Sequence, residues 1–193
     1  CIENKSKNAK SKYKVVASYN ESSNSYVGTD PNISNKIVFD LIKNNKIVGL
    51  ENLTKLKAEH KISKETRLDV YGEKEDNKYY IEVKTAPVKD EDTNKAIFPK
   101  GFRKKKSDPF SPRAIKHIDE LIQLKKNSEN NHCYLIFVVP RNDIVGFEPC
   151  NLDPLYCDKY NEAKENGINI IVFSTNINAE ENTIIFDKFI NIW

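Results

Sequence analysis

Short apolar runs alternate with polar connections along the chain, and the spacing within each run predicts its conformation. Residues 66–71 and 79–85 read as two strands joined by a stretch rich in turn formers (Gly72, Asp76, Asn77). In the second strand Ile81 and Val83 alternate with Glu82 and Lys84. A strand has a side-chain period of two, so the aliphatic pair faces a core and Glu82 and Lys84 share the opposite face. Pro87 ends this strand, because proline cannot donate to a ladder. Residues 133–139 are almost continuously apolar, which predicts a central strand covered on both faces. Residues 168–173 repeat that pattern, and 183–186 read as a last edge strand. Residues 13–19 read as a strand followed by a loop over 20–25. Residues 53–60, where Lys55, Lys57 and Glu59 alternate with Leu56 and Ala58, read as a strand with Glu59 on its polar side.

Three helices are predicted. Ile37, Val38, Leu41 and Ile42 recur at helical spacing, with Ser34 as the expected N-cap and Asn44-Asn45 as the stop. Ser111-Pro112 offers a hydroxyl cap and a first-turn proline ahead of a buried stripe of Ile115, Ile118, Leu121 and Ile122. Arg113, Lys116 and His117 fall off that stripe. Asp153-Pro154 opens the third helix and Asn166-Gly167 closes it. Strands alternating with helices predict an α/β fold, a mixed central sheet flanked by helices.

Composition narrows the function. Charged residues are 31% and hydrophobic ones 38%, and no apolar run approaches the ~20 residues that cross a bilayer, so no membrane partner is expected. A net charge of +3 does not mark a nucleic-acid binder, so any basic surface must be local. The densest positive run is residues 100–106, bracketed by Phe102 and Phe110. The four cysteines contain no Cys-x-x-Cys pair and are read as free thiols, which places the protein inside the cell, in the cytoplasm. The chain contains no Met, so Cys1 is read as a processed end. A lipid-bearing mature lipoprotein is the minor alternative.

The chemistry centres on Asp69, Glu82 and Lys84. Two carboxylates and an amine make a seat for a hard divalent cation and a phosphate. On a solvated face the same residues would be ordinary cross-strand charges.

In their order, several separate pieces resemble the sugar fermentation stimulation protein A family, from about Gly28 to Phe173. They are Gly28-Thr29-Asp30-Pro31-Asn32, Thr66-Arg67-Leu68-Asp69, Ile81-Glu82-Val83-Lys84-Thr85, Phe98-Pro99, Lys116-His117 with Leu121, and Asp153-Pro154-x-Tyr156 with Ala163 and Gly167. The resemblance implies a restriction-endonuclease-like core of the PD-(D/E)xK type and a DNA-binding protein. It implies that Asp69 and Glu82 are the metal-binding acids, Lys84 the catalytic lysine and Glu59 an additional upstream acid. Arg67 corresponds to the signature arginine, and Lys116 and His117 to a basic pair facing the site. Residues 1–27 are then a lead-in with the remnant of an N-terminal OB-like region, and residues 28–193 are the nuclease-like domain. Where the family has Thr-Glu-Arg-Gly, this chain has Ser111-Pro112-Arg113-Ala114.

The expected function is a Mg²⁺- (or Mn²⁺-) dependent phosphodiesterase, a DNA endonuclease, with RNA as a second candidate partner. The alternative is a DNA-binding regulatory protein that does not cut. Arg67, Arg103, Lys104, Lys105, Lys106, Arg113, Lys116 and His117 are the expected nucleic-acid contacts. Roughly six such phosphate contacts would weaken binding about a thousandfold between ~50 and ~200 mM salt.

Overall fold

The computed structural model describes residues 1–3, 10–63, 66–100 and 110–192. The chain begins with β1 (Ile2–Glu3), β2 (Tyr13–Lys14), β3 (Ala17–Asn20), β4 (Ser25–Gly28) and α1 (Pro31–Lys43). Then come β5 (Thr54–Lys61), β6 (Arg67–Lys74), β7 (Asn77–Thr85), β8 (Val88–Lys89), β9 (Lys95–Phe98) and α2 (Pro112–Asn127). The second half holds β10 (Asn131–Val139), β11 (Gly146–Pro149), α3 (Pro154–Glu165), β12 (Asn169–Asn178) and β13 (Thr183–Phe189).

A six-stranded mixed sheet, in the order β13-β12-β10-β7-β6-β5, forms the middle layer. β10 is parallel to both β7 and β12, and the outer pairings are antiparallel. Its position explains its composition, because a strand with helices on both sides has no polar face. Alternate residues divide as the two-residue period requires. Cys133, Leu135, Phe137 and Val139 pack beneath α2 and α3 with Ala114, Ile118, Leu121 and Tyr156. Tyr134, Ile136 and Val138 pack beneath α1 with Val38 and Ile42. The predicted α/β architecture, a mixed central sheet flanked by helices, is the one observed.

The local differences have physical reasons. α1 starts three residues before the expected cap: Asp30 caps it, accepting from the Asn32 N–H, and Ser34 lies buried inside the helix. At α2, Ser111 holds the cap position without a side-chain capping bond, so the first-turn proline marks this start. Gly72 is a strand residue, and the β6–β7 turn falls at Glu75-Asp76, where Glu75 adopts φ +55. The strand expected over residues 13–19 is split into β2 and β3, and β3 pairs with β4 as a hairpin. β11, absent from the sequence reading, joins β9 and β8 in a small second sheet. All four cysteines are free thiols, Cys133 and Cys150 buried and Cys1 exposed. Among the described residues no helix is long and apolar enough to cross a membrane.

One irregularity prepares the site. Leu68 and Val70 are two residues apart and should share a face, yet Leu68 packs with the α2 cluster and Val70 with the α1 cluster. The β6–β7 ladder also runs only from the turn to Val70↔Ile81. At Asp69 the two strands part.

Candidate functional site

Asp69 occupies the place where the ladder stops. The Val83 N–H, which has lost its strand partner, donates instead to Asp69 Oδ2 at 2.8 Å. Asn35 on α1 donates to Asp69 Oδ1 at 2.7 Å. The carboxylate is therefore pinned at both oxygens, and each keeps a free lone pair.

Glu82 is the next acid, on β7, facing α2. It is 2% exposed, so its face of the strand is closed over by the helix. His117 on α2 roofs the face that Glu82 and Lys84 share. His117 Nδ1 and Lys84 Nζ both meet Glu82 Oε1. Arg113 Nε donates to His117 Nε2 at 3.3 Å, which makes Nε2 the acceptor and leaves the ring proton on Nδ1, directed at Glu82. Arg113 and His117, expected among the nucleic-acid contacts, thus form a buttress for Glu82. The second oxygen, Glu82 Oε2, is buried and has no hydrogen-bond partner among the described residues. Leaving such an atom unpaired costs about 1–3 kcal/mol.

The electrostatics separate the two acids. Burial, and next the neighbouring Glu82 charge, push the Asp69 carboxyl up to about 6. Burial also pushes Glu82 up, but the His117 hydrogen bond and the Lys84 charge together outweigh it and hold that carboxyl below its usual range. A buried acid raised by the charge of a second acid, beside an amine, fits the pattern that marks functional sites.

Of the remaining expected residues, Glu59 stands apart. Its backbone is left-handed (φ +51) and its exposed carboxylate pairs with Arg67 at 3.4 Å. The left-handed bend turns Glu59 outward to solvent, so the structure does not bring it to Asp69 and Glu82. Arg67 is itself exposed in that surface pair. Lys116 is half-exposed on α2, 4.0 Å from Glu120. Arg103, Lys104, Lys105 and Lys106 lie outside the described residues.

Asn35 was missed in the sequence. Its signal is a polar residue three before Val38 and seven before Ile42, on the helix stripe that otherwise faces the core. His117 was expected to face the site from the resemblance alone, and the signal in the residues is its spacing, three after Ala114 and four before Leu121, both buried.

Comparison with known proteins places these features in a family. The sequence profile described as "Sugar fermentation stimulation protein RE domain" matches residues 32–181. A sugar fermentation stimulation protein homolog of Desulfotalea psychrophila is 31% identical over 173 residues, covering 89% of this chain and 68% of the relative. The homolog of Pelagibacter ubique is 32% identical over 167 residues, covering 86% and 66%. The chain thus spans about two thirds of the length of these relatives. Among solved structures, SfsA of Pyrococcus furiosus, in complex with Ca²⁺, superposes with a TM-score of 0.82 at 21% identity, over all of this chain and 76% of that one. This likeness shows a shared fold.

Proposed function

The chain belongs to the sugar fermentation stimulation protein family, and from that premise we propose that it is a metal-dependent nuclease of the PD-(D/E)xK kind. Asp69 and Glu82 are its metal-holding acids and Lys84 its catalytic amine. The observation that carries this reading is the unpaired, buried Glu82 Oε2 beside a second carboxylate held with its lone pairs open.

The donor set fits a hard cation. Mg²⁺ is commonly held by one or two carboxylates, retaining waters and taking phosphate oxygens from the substrate. Two carboxylates with no thiolate between them suit such an ion better than zinc, which favours Cys and His ligands. That the Pyrococcus furiosus protein was solved with Ca²⁺, another oxygen-seeking divalent ion, supports the choice. Bound there, such a cation would polarise a phosphoryl oxygen and acidify a water.

The protein's own residues supply the rest. Arg113 and His117 hold Glu82 Oε1 so that Oε2 remains for the cation. Asn35 and the Val83 N–H do the same for Asp69. Lys84, beside Glu82 Oε1, orients the attacking water or meets the charge that develops on the phosphate. Exposed Lys116 and Arg67, with the basic run at residues 103–106, supply phosphate contacts for DNA or RNA.

The test is cleavage of plasmid, single-stranded DNA and RNA by the purified chain with Mg²⁺ or Mn²⁺, with Glu82→Gln as the size-matched variant. Loss of about a hundredfold or more is expected, and unchanged cleavage in the variant would overturn the proposal. A second reading, a regulator that binds DNA without cutting, is favoured by Glu59 standing outside the acid pair. It predicts salt-sensitive binding with no cleavage in any metal.

A further inference from the structure

A cavity of about 460 Å³ opens immediately beyond the acid pair. It shares all three of that site's walls. The end of β7 contributes Lys84, two residues past Glu82, and the entrances to α1 and α2 form the sides. α1 carries Asn35 to Asp69 one turn further along, and α2 carries His117 to Glu82. The size lies within the range of about 300–1,000 Å³ that holds small organic ligands.

Its lining has a mixed chemistry. Phe98, Phe110, Pro99 and Val88 make an apolar, partly aromatic wall, and Lys84 and exposed Lys100 add two cations. The Phe98 ring is braced edge-on by Phe137 and Tyr156, with centroids 5.6 and 5.4 Å away, so the wall is preorganised. An apolar slot with cations and a phosphodiester site at its mouth suits a base and sugar whose phosphate stays outside. A base stacked and paired within a duplex cannot enter a concave slot. It must first be unpaired, at a cost of a few kcal/mol that a single strand does not incur. Aromatic walls then take any base by its π-face, without reading sequence.

We propose that this cavity seats one unpaired nucleotide, so that the substrate is single-stranded nucleic acid. The inference rests on the reading of Asp69 and Glu82 as the phosphodiester site. It extends that reading to which form of nucleic acid is taken.

Binding without cutting separates the two. A fluorescein-labelled 20-nucleotide DNA strand and a blunt duplex of the same sequence are titrated against the full chain in EDTA, by anisotropy at fixed salt. The single strand binds at least about tenfold tighter, in line with the stacking of one base. Val88→Trp fills the cavity from β8 and leaves the acids and Lys84 chemically intact, and it weakens the single strand about tenfold while leaving the duplex unchanged. Should Val88→Trp fail to fold, as read by circular dichroism, Phe110→Ala serves in its place with the same expected loss. Equal or tighter binding of the duplex, or single-strand binding indifferent to a folded cavity variant, overturns the proposal. If the single strand binds through the cavity and no metal supports cleavage, this inference stands and the nuclease reading fails.

Discussion

Replacing Asp69 by an asparagine should make the metal-free protein more stable, although it removes a residue of the proposed catalytic centre. Burial and the Glu82 charge raise this carboxyl from 3.8 to about 6. The folded state thus holds the proton through a pH interval in which the unfolded chain has released it. Stability from this group is complete below about pH 4 and is lost as pH rises through about 6. The raised value corresponds to about 3 kcal/mol, an upper figure, because burial is incomplete and the neighbours relax. The substitution removes the charge and keeps the shape. The new side-chain carbonyl can accept from the Val83 N–H, and the Asn35 amide can flip to accept from the new NH₂. We expect Asp69→Asn to gain about 1–3 kcal/mol at pH 7 in EDTA, read by urea denaturation with circular dichroism. Its stability should fall less than the wild type's between pH 4 and 7. Adding Ca²⁺ or Mn²⁺ should stabilise the wild type and leave the variant unmoved. A variant less stable than wild type at pH 7, with a parallel pH profile, would refute the reasoning. It would mean that the two hydrogen bonds outweigh the repulsion between the acids.

Other outcomes follow from the same geometry. His117→Ala removes one of two donors to a buried carboxylate and should cost about 1–3 kcal/mol in urea denaturation. A change below measurement error would show that Lys84 alone satisfies Glu82. Gly28→Ala brings a Cβ to 2.8 Å from Pro140 Cβ, beside the Gly28 N–H to Pro140 O bond, and should cost about 1–3 kcal/mol by the same measurement. The Cys133 thiol, pushed up to about 12 by burial, should resist iodoacetamide at pH 8 in the native protein and react in urea, as mass spectrometry would reveal. Native-state labelling of Cys133 at the rate of exposed Cys1 would contradict the packing.

Much of this was legible in the sequence because the signals were periodic. The continuous apolar run at residues 133–139, short and rich in β-branched and aromatic residues, fits a strand covered on both faces, and it became β10. Ile81 and Val83 told which side of β7 faces α1, and Glu82 and Lys84 followed by alternation. Three features escaped for reasons of geometry. The parting of β6 and β7 at Asp69 depends on a pairing that ends early, and no local pattern encodes that. Glu59 reads as part of a regular strand, but a left-handed residue breaks the alternation and turns its carboxylate outward. His117 was expected to face the site from the family resemblance alone, and its bond to Glu82 and the support from exposed Arg113 had no local signal. Arg113 meets His117, whose own partner Glu82 lies 35 residues back on β7, and only the folded chain brings them together.

The hairpin that carries both acids is held in register next to them, at Val70↔Ile81, while its tip at Glu75-Asp76 is exposed. The paired stretch from Val70↔Ile81 to the turn therefore separates the acid-bearing end from the tip. Extra residues inserted at that turn would lengthen the loop and leave the acids in place. The turn is accordingly a suitable point for grafting an epitope or a fluorophore-binding peptide at a distance from the acid pair.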